Sequence, residues 1–340
     1  MEAPVALDGV RARLDLPVGL DPWLRALEEA GPLPGAPLRL PSPEEAAALL
    51  AEMRVAPADI ADVVGSLPSP TATPEVWWLL ERGAHLLIRQ MGRCDDPWTW
   101  PELPPVLGAH ARLFNVYAFL AVTPWVRSWH RGHGVPDSVS AHTLASLGRS
   151  MAIQRRRTGA SGVFEQNWMT LPFRACLFEL GRLQYTPYHV SLREHWYDAE
   201  ACARLGPGFR PGDPAVGVHI PATGPLRPEA CDESLRAARD LFSGSEPFGP
   251  CRIATCGSWL LDEQLAEYLP PESNIVRFQR RFTLLPHAGH GDGSVFTFVF
   301  HRPAPASLDE LPQTTTLERA VVRHLRDGRH WQTRTGWLEL

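Results

Sequence analysis

A strand, a loop of small residues and a helix follow one another over residues 216–242, and this junction could hold an anionic group. Val216, Val218 and Ile220 alternate with other residues, the period of a half-buried strand. Pro228 suits the first turn of a helix, because its missing N–H needs no partner there. Backbone N–H groups at a helix start point outward and attract negative charge. The sequence therefore predicts a cradle for a phosphate-bearing donor on this loop.

The first half of the chain has the pattern of α-helices. Ser42 followed by Glu45 forms a capping box, and apolar residues follow it at helical spacing. The helical period returns at residues 75–91, 102–122 and 142–156. No strand-like alternation interrupts these segments, so an all-helical segment is predicted.

The pattern changes near residue 170. Strands are predicted at residues 176–185, 216–221, 251–257 and 331–338, and helices at residues 228–242, 260–269 and 316–326. Residues 274–285 and 294–301 predict two further strands that form a hairpin across residues 286–293. We therefore predict an α/β (α+β) chain, with a helical domain over residues 1–165 and a mixed-sheet domain over residues 166–340.

The composition is that of a globular protein with a sizeable core, since 44% of the 340 residues are hydrophobic. All 33 basic residues are arginine, which excludes a lysine Schiff base and a lysine general base. With neither a signal peptide nor an apolar run of membrane-spanning length, the sequence predicts a cytoplasmic protein that contacts no membrane.

Neither the cysteines nor the histidines predict a metal site. The six cysteines include no C-x-x-C pair, and we expect them to be reduced core residues. His130 with His133, and His287 with His290, lack the i, i+4 helical spacing and an acidic or cysteine ligand beside them.

Charge is unevenly distributed along the chain. Residues 1–102 carry 8 Arg against 16 acidic residues, whereas residues 103–164 carry 7 Arg against Asp137 alone. This asymmetry fits a basic face that meets an anion, and it fits equally two segments that pack together.

Several strings in the second half resemble those of a known family. They are ELGRLQ at residues 179–184, VHIP at 218–221, CGSWLLD at 256–262, SNIVRFQ at 273–279 and LPQTTTLERA at 311–320. The chain resembles two-domain bacterial acyltransferases, which have a helical N-terminal domain and a C-terminal domain of the GNAT N-acyltransferase type. The likeness implies a GNAT-like mixed sheet with helices on both faces.

The resemblance also implies that the strand at residues 216–221 parts from its neighbour to admit the carbonyl of an acyl donor. An amine would attack that carbonyl directly, without a covalent acyl-enzyme. Donor contacts would come from Val218, Ile220, Gly224, Leu226 and Ser234. The loop departs from the family's glycine-rich pattern, because only Gly224 is small enough for close approach and Pro225 cannot donate. The donor therefore stays open between acyl-CoA, an acyl carrier protein and an aminoacyl-tRNA.

Aminolysis of an activated acyl group needs a base for the proton of the amine. His219 is the first candidate, because it lies on the strand face opposite Val218 and its ordinary pKa is near neutral. A structural hydrogen bond to a neighbouring strand is the alternative. Glu179 is the second candidate, since a carboxylate in an apolar strand needs a partner. It could orient His219, bind the ammonium of the substrate, or form an ion pair with Arg182.

Other candidate residues have a binding role and a structural alternative. Arg182 could bind a carboxylate of the acceptor. Ser258 could protonate the leaving group or cap the helix that follows it. Asn274 is assigned to substrate binding, with a turn residue as its alternative. A basic set at a helix end could contact nucleic acid or complement the helix C-terminus. It comprises Arg149, Arg155, Arg156 and Arg157.

The preferred hypothesis is a GNAT-like N-acyltransferase, an enzyme that transfers an acyl or aminoacyl group to the amine of a small molecule in bacterial specialised metabolism. A second hypothesis keeps the fold and takes aminoacyl-tRNA as the donor, bound by the basic set. A third is a non-catalytic ligand-binding protein on a degenerate transferase fold, which the incomplete glycine loop favours.

Overall fold

The computed structural model of the protein describes residues 6–35, 37–96, 98–191, 209–244, 247–305 and 307–340. The chain divides into two units, Met1–Phe178 and Glu179–Leu340. The boundary expected after residue 165 precedes the helix Gln166–Phe173, which packs within the first unit through Met169 and Phe173.

The first unit is helical. Its α-helices are α1 (Leu7–Arg13), α2 (Asp21–Ala30), α3 (Pro43–Glu52), α4 (Pro57–Val64), α5 (Pro74–Arg89), α6 (Ala109–Gly132), α7 (Asp137–Leu144), α8 (Ser146–Thr158) and α9 (Gln166–Phe173). Proline stands in the first turn of α2 to α5, where its missing N–H costs no hydrogen bond. The capping box is confirmed, because the Ser42 hydroxyl accepts from the Glu45 N–H and the Glu45 carboxylate accepts from the Ser42 N–H.

Helix α6 is the centre of the first unit. Residues 113–123 are all buried, the pattern of a helix that is enclosed on every side. The ring of Phe119 stacks on that of Phe173 in α9, with centroids 4.0 Å apart. Elsewhere in this unit, Gly148 of α8 lies against the turn after α3. A Cβ atom at this position would stand 2.2 Å from the carbonyl oxygen of Arg54.

The second unit contains a mixed sheet. Its strands are β1 (Phe178–Leu180), which begins one residue before the division, β2 (Leu183–His189), β3 (Pro214–His219), β4 (Ile253–Ser258), β5 (Thr283–His290) and β6 (Gln332–Glu339). Its α-helices are α10 (Pro228–Phe242), α11 (Asn274–Gln279), α12 (Asp292–Val299) and α13 (Thr316–Arg326). Short 3-10 helices lie at Trp259–Leu261, Glu263–Glu267 and Leu308–Glu310 in this unit, and at Val18–Leu20 and Pro105–Leu107 in the first.

The strand order is β1-β2-β3-β4-β6-β5. Strands β2 and β3 are antiparallel, β3 and β4 are parallel, and β6 runs antiparallel to both β4 and β5. A parallel pair joined through a helix, within an otherwise antiparallel sheet, confirms the predicted mixed α/β domain after a helical segment.

Helix α10 has the bounds that the sequence predicts. Its buried residues include Cys231, Ser234, Ala238 and Phe242, which recur every three or four positions and therefore lie on one face. Tyr185 of β2 contacts this face, since its ring lies 6.4 Å from that of Phe242. The loop before α10 is thus fixed between the sheet and a well-anchored helix.

The predicted hairpin over residues 274–301 is wrong. Residues 274–279 form α11, capped by the Ser273 side chain, which accepts a hydrogen bond from the Val276 N–H. Strand β5 runs through the segment expected to be a loop, and residues 292–299 form α12. The aromatic and β-branched residues of this last segment favour a strand. Tertiary contacts override them: the Asp292 carboxylate accepts from the Trp331 N–H (2.8 Å), anchoring the helix start beside β6.

Two smaller differences concern element boundaries. The strand predicted at residues 176–185 is split into β1 and β2 by a turn at Gly181, whose φ of +71° favours glycine. The helix predicted at residues 260–269 is a pair of 3-10 turns. Among the described residues, no helix combines the length and the apolar character needed to cross a lipid bilayer.

Replacing Gly148 by alanine tests the close packing of α8. We expect the free energy of unfolding to fall by about 2–4 kcal/mol, because the new Cβ would overlap the backbone at Arg54 and the neighbours are not flexible side-chain ends. Denaturant titration measures the change. Gly9→Ala in α1 is the matched control: its Cβ meets no atom within 4 Å, so stability should stay equal or rise. Equal effects of the two substitutions would contradict the packing described.

Candidate active site

Strands β3 and β4 part as they run toward their C-terminal ends. Their ladder holds two residue pairs, Val216 with Ala254 and Gly217 with Thr255. Beyond these pairs, within the described residues, β3 remains paired with β2 as far as His219, and β4 with β6 as far as Ser258. A gap therefore opens between the two central strands. The carboxyl ends of neighbouring parallel strands are a preferred position for ligand sites in such sheets.

On the face of the sheet that carries His219, an exposed glycine lies beside this gap. Gly257 lies in the central strand β4 and is nevertheless exposed. A Cβ atom added there would have one neighbour within 4 Å, the Thr335 hydroxyl at 3.8 Å. Because Gly217 and Thr255 are register partners, Gly257 shares the face of Gly217 and His219. Glycine thus leaves space next to the imidazole.

His219 is held by β2. Its Nε2 lies 2.7 Å from the Thr186 hydroxyl oxygen. Gly217 makes this contact possible, since a Cβ there would stand 2.8 Å from the same hydroxyl oxygen. Burial lowers the pKa of His219 to about 4. The imidazole is therefore neutral at pH 7 and able to accept a proton. This contact is also the structural bond that the sequence offered as the alternative to catalysis, and the two roles are compatible.

Glu179 lies two strands away from His219 in the same sheet. Its Oε2 accepts a hydrogen bond of 3.0 Å from the Gln184 side-chain amide, and Gln184 is the register partner of His219 on β2. Glu179 is 8% exposed, so its carboxylate is largely removed from solvent. The structure thus places Glu179, Gln184 and His219 on three adjacent strands.

Arg182 binds the loop between β3 and α10. Its guanidinium donates to the carbonyl oxygens of Pro221 (3.0 Å), Gly224 (2.7 Å) and Pro225 (3.1 Å). A longer contact reaches the Thr223 hydroxyl at 3.4 Å. We predicted that Arg182 either pairs with Glu179 or binds an acceptor carboxylate, whereas these contacts direct it to the loop.

Ser234, which was assigned to donor binding, lies in the core of the second unit. It is 1% exposed. Its hydroxyl accepts from the Leu183 N–H (3.2 Å), lies 2.9 Å from the Tyr185 hydroxyl and donates to the Leu180 carbonyl oxygen. These three bonds fill its hydrogen-bonding capacity and attach α10 to the turn between β1 and β2.

The other residues assigned to the donor differ in exposure. The side chains of Val218 and Leu226 are buried, at 1% and 5% exposure. These two residues can therefore contact a ligand only through their backbone atoms. Ile220 is half-buried and Gly224 is exposed, with a φ of +127° that favours glycine.

Ser258 and Asn274 lie at the starts of short helices. The Ser258 hydroxyl accepts from the Leu260 N–H (3.1 Å), which is the capping alternative stated above. Alternation along β4 also places Ser258 on the face opposite Gly257 and hence opposite His219. Asn274 is the first residue of α11, not the first residue of a strand as predicted.

Cysteine chemistry has no support in this site. Burial raises the pKa of Cys256 in β4 and that of Cys251 to about 12, so both thiols are protonated at neutral pH. The described residues hold no group of three or more His, Cys, Asp or Glu side chains arranged to bind a metal ion.

The basic set of the first unit is partly engaged. Arg155 in α8 donates to Asp59 and Asp62, each at 2.7 Å. The guanidinium of Arg157 lies 4.7 Å from the centre of the Phe164 ring. Arg149 and Arg156 lie on the same helix. One of the four cations, Arg155, is therefore already paired with two carboxylates.

Three features of the candidate site were missed in the sequence: the Thr186 contact with His219, the Gln184 link to Glu179, and the exposed position at Gly257. Gln184 and Thr186 lie two residues apart on β2 and therefore share one face of the strand. That spacing signals a shared polar face, but only the register shows which residues lie opposite.

Comparison with known proteins identifies the family. The GNAT-like C-terminal domain model matches residues 177–338, and the N-acyltransferase N-terminal domain model matches residues 44–175. A crystal structure of an acyltransferase in complex with decanoyl-CoA is 41% identical in sequence, covers 98% of this chain and 99% of that chain, and superimposes with a TM-score of 0.87. The chain belongs to the two-domain N-acyltransferases.

Two other solved structures match this N-acyltransferase with the same sequence identity and the same coverage of both chains. An acyltransferase in complex with decanoyl-CoA and teicoplanin has a TM-score of 0.86, and one in complex with CoA and 10C-teicoplanin has 0.87. No curated protein matches the chain. Membership in the family confirms the predicted fold and the predicted enzyme class.

The protonation state of His219 can be measured directly. In the folded N-acyltransferase we expect its imidazole to stay neutral as the pH falls from 7 to about 5, because burial disfavours the charged form. Histidine-selective ¹⁵N NMR reports this state, and the signal missing from His219→Gln assigns it. The urea-unfolded protein is the control, where histidines titrate near pH 6.5. Titration of the folded-state signal near 6.5 would contradict the described burial.

Proposed function

We propose that this N-acyltransferase transfers a medium-chain acyl group from acyl-CoA to an amine of a small molecule, with His219 as the general base. The observation that carries the proposal is the two-pair ladder between β3 and β4, beyond which a gap opens beside a neutral histidine. A thioester carbonyl placed in this gap would meet separated backbone edges and an imidazole at the same point.

The edges of the gap supply the electrostatic part of the reaction. Beyond Gly217 and Thr255, the edge of each strand that faces the gap has no ladder partner on the other strand among the described residues. Backbone N–H groups along these edges could donate to the carbonyl oxygen as it becomes an oxyanion. Because the edges are fixed by β2 and β6, such donors need little reorganisation during the reaction.

The proton follows from the state of His219. The amine attacks the carbonyl carbon, the C–N bond forms, and the nitrogen of the tetrahedral adduct becomes positively charged and therefore acidic. Neutral His219 accepts that proton. The C–S bond then breaks, and the imidazolium, whose pKa is held low by burial, readily protonates the departing thiolate. Glu179, linked to β2 through Gln184, would help to orient this region.

The choice of acyl-CoA rests on the relatives and on the charges of the first unit. Similar acyltransferases form crystals with decanoyl-CoA and with CoA. The arginines suggested for tRNA include Arg155, whose charge is balanced by Asp59 and Asp62. Nothing comparable supports an acyl carrier protein. We therefore propose acyl-CoA as the donor in preference to an aminoacyl-tRNA or an acyl carrier protein.

The acceptor is proposed from the same relatives. One similar acyltransferase binds teicoplanin together with decanoyl-CoA. Identity of 41% over nearly the whole chain supports an acceptor of related chemistry, an amine on a bacterial specialised metabolite. An exposed glycine at the gap, Gly257, leaves room for an amine to reach the carbonyl.

His219→Gln tests the base. We expect the turnover number to fall by about 100- to 10,000-fold while CoA binding stays within a few-fold, since glutamine can form hydrogen bonds but cannot accept the proton. Mass-spectrometric assay of amide product measures turnover, and calorimetry measures CoA binding. His142→Gln, an exposed histidine on α7, should leave both unchanged. Full activity of His219→Gln would remove this residue from the mechanism.

A donor panel tests the acyl group and the donor class. With a glycopeptide amine as acceptor, we expect octanoyl- and decanoyl-CoA to give more amide product than acetyl-CoA, and RNase to have no effect. Turnover that RNase abolishes, and that weakens steeply as salt is raised, would favour the tRNA hypothesis instead.

A further inference from the structure

We infer that Arg182 is a positioning residue that fixes the donor loop, residues 221–227, so that backbone N–H groups replace the glycine-rich nest that this loop lacks. The inference rests on the proposed use of acyl-CoA. It is carried by the contacts of one guanidinium with three carbonyl oxygens of the loop.

The loop cannot fix itself. Pro221 and Pro225 have no N–H, and neither does Pro228 at the start of α10. One internal backbone bond is present among the described contacts, from the Thr223 N–H to the Pro221 carbonyl oxygen (2.8 Å). Three carbonyl oxygens within five residues therefore accept hydrogen bonds from a side chain outside the loop, that of Arg182. Arginine suits this task, because Nε and both terminal nitrogens each donate in a fixed plane.

Arg182 is itself rigidly placed. It follows Gly181 in the turn between β1 and β2, and its neighbours Leu180 and Leu183 both bond to the buried Ser234 hydroxyl of α10. The turn is therefore attached to the helix, and the helix follows the loop directly. This turn is bonded to α10 through Ser234 and to the loop through the guanidinium of Arg182.

The contacts also determine which amides face a ligand. In a trans peptide the C=O and the following N–H point in opposite directions. The carbonyl oxygens of Pro221 and Pro225 point to Arg182, so the N–H groups of Ala222 and Leu226 point away from it. An anion on that side would meet these two N–H groups, with the arginine charge behind the loop adding to the attraction.

Arg182→Gln and Arg182→Lys test the inference, because a loop-positioning role should change the KM for acyl-CoA and leave the turnover number nearly unchanged. We expect both variants to raise the KM for acyl-CoA, and the Kd of CoA, by about 10- to 100-fold, because hydrogen bonds to a charged group contribute strongly. The turnover number at saturating donor and the KM for the amine should stay within about threefold. Arg239→Gln, at an exposed position on α10, is the matched control and should resemble the wild type. Rescue by lysine would overturn the inference, since charge alone would then suffice.

Amide hydrogen exchange gives a readout that does not depend on turnover. In Arg182→Gln, exchange in the loop should accelerate relative to Arg239→Gln, while α10 and the β1–β2 turn keep the protection that Ser234 provides. Unchanged loop exchange would overturn the positioning role. If the wild type transferred no acyl group from any CoA thioester, the proposed function would fail. Accelerated loop exchange in Arg182→Gln would still show that Arg182 fixes the loop.

Discussion

The parting of β3 from β4 is the constraint on which the site depends. Backbone groups that lose a ladder partner must find another or face solvent, so a gap inside a sheet is costly. The structure supports each strand from its outer side. Six residue pairs join β2 to β3, and six join β4 to β6. These two ladders hold the edges apart, and the gap is consequently a fixed feature of the sheet.

Side-chain hydrogen bonds across strands give the same face its rigidity. Glu179 with Gln184 and Thr186 with His219 link neighbouring strands, and Tyr188 with Thr255 joins β2 to β4 across β3. Polar groups that are largely buried and satisfied specify one arrangement strongly. Gly217 and Gly257 contribute by having no side chain, the first beneath the Thr186 contact and the second beside the gap. The face is thus rigid around His219 and open next to it.

Local signals in the sequence were sufficient to predict some of the helices. Helix α10 was placed correctly because Pro228 and the apolar period act within one segment. Long-range contacts escaped prediction: Thr186 meets His219 across 33 residues, and such a pairing depends on strand register. Residues 294–299 were misassigned to a strand, since their aromatic and β-branched composition favours one, whereas the helix they form begins at Asp292, whose carboxylate accepts from the distant Trp331 N–H. The burial of Ser234 likewise depends on packing and could not be predicted from the sequence.

The edges of the sheet have a further consequence, for solubility. Open strand edges invite pairing with another polypeptide and hence aggregation. The outer edges are blunted here, because β1 has three residues and β5 is interrupted by an irregularity between Leu284 and Ala288 that contains Pro286. Among the described residues, the open edges inside the sheet flank the gap between β3 and β4, and each of these two strands is paired on its far side. An intruding β-strand would have to force these strands apart, whereas a slender, flexible molecule would not.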